Sequence, residues 1–564
     1  MQRAANVTSG AVVDWHSIDW KHVYRTVKNL RQRIFRASRD GDLKHVRSLQ
    51  RLMLKRRANA LESVRRVTQV NHGKSTPGID HAVVTTSEAS GALCRQLSAV
   101  DLHRVHPVRR VYIPKRKGTR PLGIPTIVDR CVQAMVKNAL EPFWEARFEG
   151  ISDGFRPGRG CHDAIEKGFR LARPNTTRPW VLEADIEGAF NHIRHTALGQ
   201  AIGNFPAREL IKQWLKAGYV EDEMLPPTDA GVPQGGVSSP RLLNVALHGM
   251  EHALGTSYTP KGVLRGTYAL VRYADDLAVF SPTQEAAVAA QHILSAWLGT
   301  RGLRLSDEKT QIRHLREGVN FLGFTIRHYP TPTSSRSGYK LLIKPSPASI
   351  QQIQWTLKGL WHTHVGSPTV ALINAMNPVI RGWSHDFRTG VSKEVFTKVD
   401  RFRYDRAQRY MKRRHPRTSG WWRTQKYWGQ TVGRQDRWVF QDKQRHGTLR
   451  KFAWTKIIRH RLVPTTYTPD APTLQDYWAQ RRSRAQTTAG RAGQLARRQQ
   501  GLCPVCHQAL ENGEDLHVHH MVPKKHGGTD DLANLRLVHH TCHRQLHSTS
   551  APLGVRRWLE PCTG

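Results

Sequence analysis

Two neighbouring carboxylates, Asp275 and Asp276, interrupt the stretch Leu270-Val-Arg-Tyr-Ala-Asp-Asp-Leu-Ala-Val-Phe280. Short apolar, β-branched and aromatic runs flank them. That pattern predicts strand, tight turn, strand, with the acids at the turn. Ionised carboxylates side by side repel, and a divalent cation is the usual way to stabilise such a pair. An Asp-rich hairpin turn is the structural alternative. A third acid, Asp185, ends the apolar run Trp180-Val-Leu-Glu-Ala-Asp185 ahead of a predicted helix. A strand-end carboxylate beside the hairpin acids completes a site for two metals, which lie about 3.5–4 Å apart in two-metal enzymes.

A second set of ligand-type residues lies near the end of the chain. Cys503-Pro-Val-Cys506 is half a zinc site, and His539-His-Thr-Cys542 supplies the other half through His539 and Cys542. A module this short benefits from a structural metal. His543 and His547, four residues apart, share one face of a predicted helix, as a cation site needs. Cys94, Cys131 and Cys161 are scattered and read as buried small residues. Cysteines clustered for a metal suggest a reducing compartment.

Val108 to Pro125 reads as strand, basic turn, strand. Lys115 and Arg120 on that hairpin can lay a point charge and a bidentate fork on a triphosphate. Gly154-Phe-Arg-Pro-Gly-Arg-Gly160 is a basic loop leading into a helix. Arg156 there suits either a phosphate or template contact or a structural turn.

Three of these stretches together resemble reverse transcriptases. Tyr273-Ala-Asp-Asp276 is similar to the active-site box of that family. Asp185 with Phe190 five residues on matches its other catalytic box, and Gly231-Val-Pro-Gln-Gly-Gly236 its Pro-Gln-Gly box. The resemblance implies that Asp185 and Asp275 hold two Mg²⁺, supported by Asp276. It puts Lys115, Arg120, Gln234 and Gly235 around the incoming dNTP and the template, with Phe190 beneath the sugar. The alternative for Phe190 is core packing. Val70 to Asp80 resembles the first box of group II intron reverse transcriptases, with His81 where the family has Gly. Leu303 to Ile312, with Lys309, and Val319 to Ile326 resemble the last two palm boxes.

Residues 345–460 interleave Trp355, Trp361, Trp383, Trp421, Trp422 and Trp428 with Arg and Lys. Aromatics among basic residues suit RNA stacking plus phosphate contact. Around Arg381-Gly-Trp383 this resembles the thumb, or maturase, domain of group II intron proteins. Leu516-His-Val-His-His-Met-Val-Pro523, with Asn534, His543 and His547, resembles an HNH endonuclease of the ββα-metal type. By that resemblance His519, His543 and His547 face one divalent cation and His520 is the general base. Asn534 holds the loop and orients His520.

The expected fold is multidomain α+β: a right-hand polymerase with an antiparallel palm sheet, a helical thumb and a small ββα-metal zinc module. The parts are a helical N-terminal extension (1–70), fingers and palm (71–330), thumb or maturase domain (345–460), basic linker or DNA-binding region (461–500) and endonuclease (501–550). Lys and Arg number 87 against 44 acids, a net +43, which is the footprint of a polyanion partner. No apolar run reaches about 18 residues and the N-terminus has no secretory h-region, so a cytoplasmic, nucleoid-associated bacterial protein is expected, with no membrane partner. The implied partners are group II intron RNA, target DNA and dNTPs. A splicing-only maturase and a free-standing retron- or CRISPR-type reverse transcriptase are the alternatives.

Overall fold

A computed structural model describes residues 14–97, 104–114, 118–221, 230–258, 264–332, 338–431, 433–485 and 490–548. At its centre four antiparallel strands run in the order Ala269–Tyr273, Asp276–Ser281, Trp180–Asp185 and Gln311–His314. Side chains alternate across this sheet as the pleat dictates. Val181, Val271, Ala278 and Phe280 enter one core; Leu182, Ala184, Leu270, Leu277 and Val279 enter the other. Both faces are therefore covered, and the acids gather where strands end. Asp185 pairs in register with Asp276, and Tyr273 with Asp276 across the hairpin.

One core joins the sheet to the N-terminal helices. Val23, Val27, Leu30 and Ile34 of helix Trp20–Arg39 are all buried, as their spacing predicts, and Asp19 caps the helix by accepting from the His22 amide. The pattern from Val46 to Val67 reads as one continuation. It is instead broken at Arg56, whose extended backbone separates helices Leu43–Lys55 and Arg57–Arg65. The Asn59 amide donates to the Met53 carbonyl at 3.0 Å and satisfies the freed group. These helices pack on the long helix Ile127–Glu145.

The other core joins the back of the sheet to the thumb. A second antiparallel sheet, Val319–Phe321, Phe324–Pro330 and Tyr339–Pro345, leads to helices Pro347–Thr363, Thr369–Phe387 and Lys393–Arg414. At the end of the chain, strands Leu516–His520 and Leu535–His539 pair antiparallel and feed helix His540–Leu546. That is a ββα unit.

Two expectations about the C-terminal third change. Residues 461–485 do not form a free basic linker. Arg159 Nη2 donates to the carbonyls of Pro464, Thr465 and Tyr467, and Arg31 forks onto Asp470 at 2.8 Å. A strap thus runs over the polymerase body, ending in helix Gln475–Ala485; helix Gly490–Arg498 follows. The ββα unit is not a separate module either. Leu535, Leu537, Val538 and Leu546 bury in the same core as the N-terminal helices, and the Gln545 amide donates to the carbonyls of His16 and Ile18. Among the described residues no helix is long and apolar enough to cross a membrane.

Candidate active sites

The hairpin between Tyr273 and Asp276 turns through Ala274 at φ 58°. Loop 151–154 lies against this turn. The Asp153 amide donates to the Arg272 carbonyl, and a Cβ on Gly154 would stand 2.2 Å from the Ala274 nitrogen. Only glycine allows that approach. Beneath the turn, the fully buried Arg272 donates to the Ala274 carbonyl and to Asn244 Oδ1, each at 3.2 Å. Burial, and then neighbouring Asp275 and Asp185, push the Asp276 carboxyl up to about 7. Burial, with Asp185 behind it, raises Asp275 too. Lys309 salt-bridges Asp185 and counters part of the charge. Asp185, Asp275 and Asp276 oppose one another when ionised, which divalent cations relieve, although among the described residues the three carboxylates do not close to metal-ligand spacing.

Beside the acids, Phe190 and Gln234 line a cavity of about 400 Å³ together with Arg110 and Gly123. Arg120 Nε donates to Gln234 Oε1 at 2.9 Å, so the fingers hairpin and the Pro-Gln-Gly loop meet there. Lys115 lies outside the described residues. Gly235 serves a nearer neighbour than template or nucleotide. At φ 125°, a Cβ would come 2.4 Å from the Gly123 carbonyl oxygen, where Gly123 N donates to the Gln234 carbonyl. Arg156 is buried, donating to Glu145 Oε2 and to the carbonyls of Glu149 and Ser152. It is a structural cation and reaches no template. His81 adopts φ 52°, the left-handed conformation that glycine reaches without strain.

Phe190 is buried, its edge toward Phe155, yet it also walls the cavity. Those two facts separate by experiment. A ring beneath the sugar tolerates a dNTP and collides with a ribose 2′-hydroxyl. Phe190→Val is then expected to shift kcat/KM toward CTP over dCTP by about 10- to 100-fold on one RNA template. An unchanged ratio in a well-folded variant assigns Phe190 to packing alone.

In the ββα unit, ligand atoms of Cys503, Cys506, His539 and Cys542 lie within 4.8 Å of one another and all four residues are buried. His539 Nε2–H donates to the Ala509 carbonyl at 3.0 Å, which leaves Nδ1 facing the cysteines. That arrangement fits tetrahedral zinc with an oriented histidine. Three thiolates and one neutral imidazole around Zn²⁺ carry a net negative charge. The fully buried Arg65 offsets it, donating to Cys542 Sγ at 3.2 Å and facing Glu514 at 3.5 Å. Arg65 also stacks over Trp20, 4.6 Å from the ring centroid.

His519, His543 and His547 form a second cluster, and the buried Nε2 of His519 has no hydrogen-bond partner among the described residues. An orphaned imidazole nitrogen among two others fits a cation. His520 Nε2–H donates to Asp530 Oδ1 at 2.8 Å, so its Nδ1 keeps the lone pair a base requires. Asn534 holds the loop, accepting from the Val522 amide and donating to the carbonyls of Val522 and Thr529. The side chain that orients His520 is Asp530, which sequence reasoning missed. One acid of the adjacent pair Asp530 and Asp531 in a Gly-rich loop carries no distinguishing signal.

The thumb aromatics divide. Trp361 and Trp428 are core, and Trp383 packs between Phe387, Phe396 and Phe452. Trp355 and Trp421 are over 70% exposed, and Lys426 sits 4.7 Å from the Trp422 ring. These three, with Trp438, are the exposed thumb tryptophans, and exposure suits them to stacking. No pattern in the sequence separates them from the buried ones.

Comparison with known proteins follows this geometry. Residues 113–326 match the family model for reverse transcriptase (RNA-dependent DNA polymerase), and 15–97 its N-terminal domain. Residues 350–428 match the group II intron maturase-specific domain and 503–549 the HNH endonuclease. Protein YkfC of Escherichia coli K12 is 32% identical over 53% of this chain and 89% of its own length. The group II intron-encoded protein LtrA of Lactococcus lactis is 32% identical over 48% of this chain and 55% of its own. An uncharacterised 91 kDa protein in the cob intron of Schizosaccharomyces pombe is 28% identical over 50% and 43%. The chain thus spans only about half the length of the last two relatives.

Proposed function

The chain belongs to the group II intron-encoded reverse transcriptases, and on that footing we propose that it splices its intron RNA and copies it into DNA at a site it nicks itself. The observation that carries this reading is the presence, in one chain, of three neighbouring acids, Asp185 in register with Asp276 beside Asp275, and of a His-based ββα site on a shared core. A free-standing reverse transcriptase needs neither the maturase-specific segment nor the endonuclease.

In polymerisation the primer 3′-hydroxyl attacks the α-phosphate of a dNTP and pyrophosphate leaves. Asp185 and Asp275 would hold two Mg²⁺, with Asp276 supporting them; when bound, such ions lower the hydroxyl pKa and neutralise charge on the leaving group. Lys309 pairs with Asp185 and orients it. Arg120, held by Gln234, presents its remaining donors to the triphosphate, and Lys115, one residue after Pro114 in the sequence, would add a point charge. The work is positioning and charge neutralisation.

In DNA cleavage His520 Nδ1 takes a proton from water that attacks the phosphodiester, while Asp530 holds the ring in place. His519, His543 and His547 would hold the divalent cation. The nick then supplies the primer and the intron RNA the template. Lys and Arg in excess by 43 charges grip both nucleic acids.

The test couples the two sites. With intron RNA and an intact target duplex, His520→Ala is expected to lose nicking by about 10²-fold or more, and bottom-strand cDNA with it. On a duplex already nicked, cDNA synthesis by the variant should match the wild type. Full cDNA from the intact duplex would break the link between the sites.

A further inference from the structure

We propose that Cys161, His162 and Asp386 form a site for a divalent cation, zinc by its ligand chemistry, that clasps the palm to the thumb. Cys161 and His162 open the palm helix Cys161–Leu171; Asp386 stands one residue before the end of the thumb helix Thr369–Phe387. More than 220 residues separate the two sides, yet one ligand atom from each of the three lies within 4.8 Å of the others. Thiol, imidazole and carboxylate are the three donor types zinc takes, and bonds of about 2.0–2.3 Å bring its ligands that close.

The pieces are held before any cation arrives. His162 Nε2 lies 3.1 Å from Asp386 Oδ1 and 2.8 Å from the Asp386 carbonyl oxygen. Phe324 meets the ring edge-on and the His460 ring lies 5.6 Å away, its Nε2 bonded to Asp163 Oδ1. All three residues are partly exposed, and His162 borders a cavity of about 330 Å³. Solvent therefore reaches the site, and three protein ligands leave a fourth position for water. Lys340 and Arg459, which line the same cavity, bring no further ligand.

The consequence is mechanical. The thumb meets the palm across this seam, and the charges of Cys161 and Asp386 act on Tyr273 of the catalytic hairpin. A cation there fixes the angle at which the thumb meets a duplex lying on the acids.

The experiment uses the full-length protein. Iodoacetamide labelling of Cys161, read by peptide mass spectrometry, is followed across a titration of free zinc. Zinc is expected to protect Cys161, and Asp386→Asn to raise the zinc concentration for half protection by roughly tenfold or more. Dialysed at one fixed free zinc concentration, Cys161→Ser should hold one zinc per chain fewer than the wild type, with the ββα clusters common to both. Labelling of wild-type Cys161 that ignores zinc overturns the proposal without recourse to any variant. Equal zinc content in wild type and Cys161→Ser overturns it as well.

Discussion

Asp275→Asn is expected to abolish cDNA synthesis, by on the order of 10³-fold or more, as when a principal electrostatic stabiliser is removed. Binding of intron RNA should stay near the wild-type level. The substitution preserves shape and removes one charge from the acid trio. The turn survives it, because the turn is held by backbone groups: the Asp275 carbonyl accepts from Ile186 N, and Arg272 grips the Ala274 carbonyl. RNA affinity is expected to rest elsewhere, on exposed aromatic and basic surface such as Trp355, Trp421 and Lys426. The variant also relieves repulsion on Asp276, whose carboxyl is raised partly by Asp275. Thermal stability without added cation should therefore hold or rise slightly. Primer extension and filter binding on one preparation decide the matter; near-normal extension would remove Asp275 from the metal-holding role.

Cys506→Ser should release the structural zinc and loosen two regions at once. Structural zinc supplies about 10–16 kcal/mol to small modules, and one ligand of four is a large part of that. In a flexibly tethered module the damage would end at residue 503. Here the zinc cluster backs onto Arg65 through Cys542, and Arg65 is sealed over Trp20. A guanidinium left with little but Glu514 for compensation destabilises whatever buries it. Hydrogen exchange is expected to accelerate across 503–547 and also, by a smaller factor, in helices Trp20–Arg39 and Arg57–Arg65. The palm strands should keep their protection and cDNA synthesis should persist within a few-fold. Acceleration confined to 503–547 would show that the shared core carries no coupling. Zinc still bound in stoichiometric amount would remove Cys506 from the ligand set.

The residues legible from the amino-acid order are those whose partners are local. Asp275 and Asp276 sit in a hairpin whose strands and turn are written in thirteen consecutive residues, and Asp185 ends a strand of six. Cys503 with Cys506, and His539 with Cys542, lie within one turn of chain of each other, so their spacing already sets their geometry. The N-terminal helix likewise declares its buried face through a 3.6-residue period. In each case the interaction range matches the range over which a sequence pattern is defined.

What the tertiary structure decided is which faces meet, because contacts between distant segments leave no periodic trace. Arg156 and Arg120 look alike in sequence, two arginines in Gly/Pro-punctuated basic loops. One is buried on Glu145 and the other reaches Gln234 at the cavity. Trp361 and Trp355 lie in one helix, and packing alone makes the first core and the second a stacking surface. Asp530 gains its role only because its loop folds back over His520. In sequence, residues 461–500 read as a basic linker or DNA-binding region and 501–550 as a small module of their own, because the first is basic and the second compact. Burying Asp470 against Arg31, and Cys542 against Arg65, makes them part of the polymerase body. Apolar surface and charge each seek whatever complement the folded chain brings near, and that complement is chosen in three dimensions.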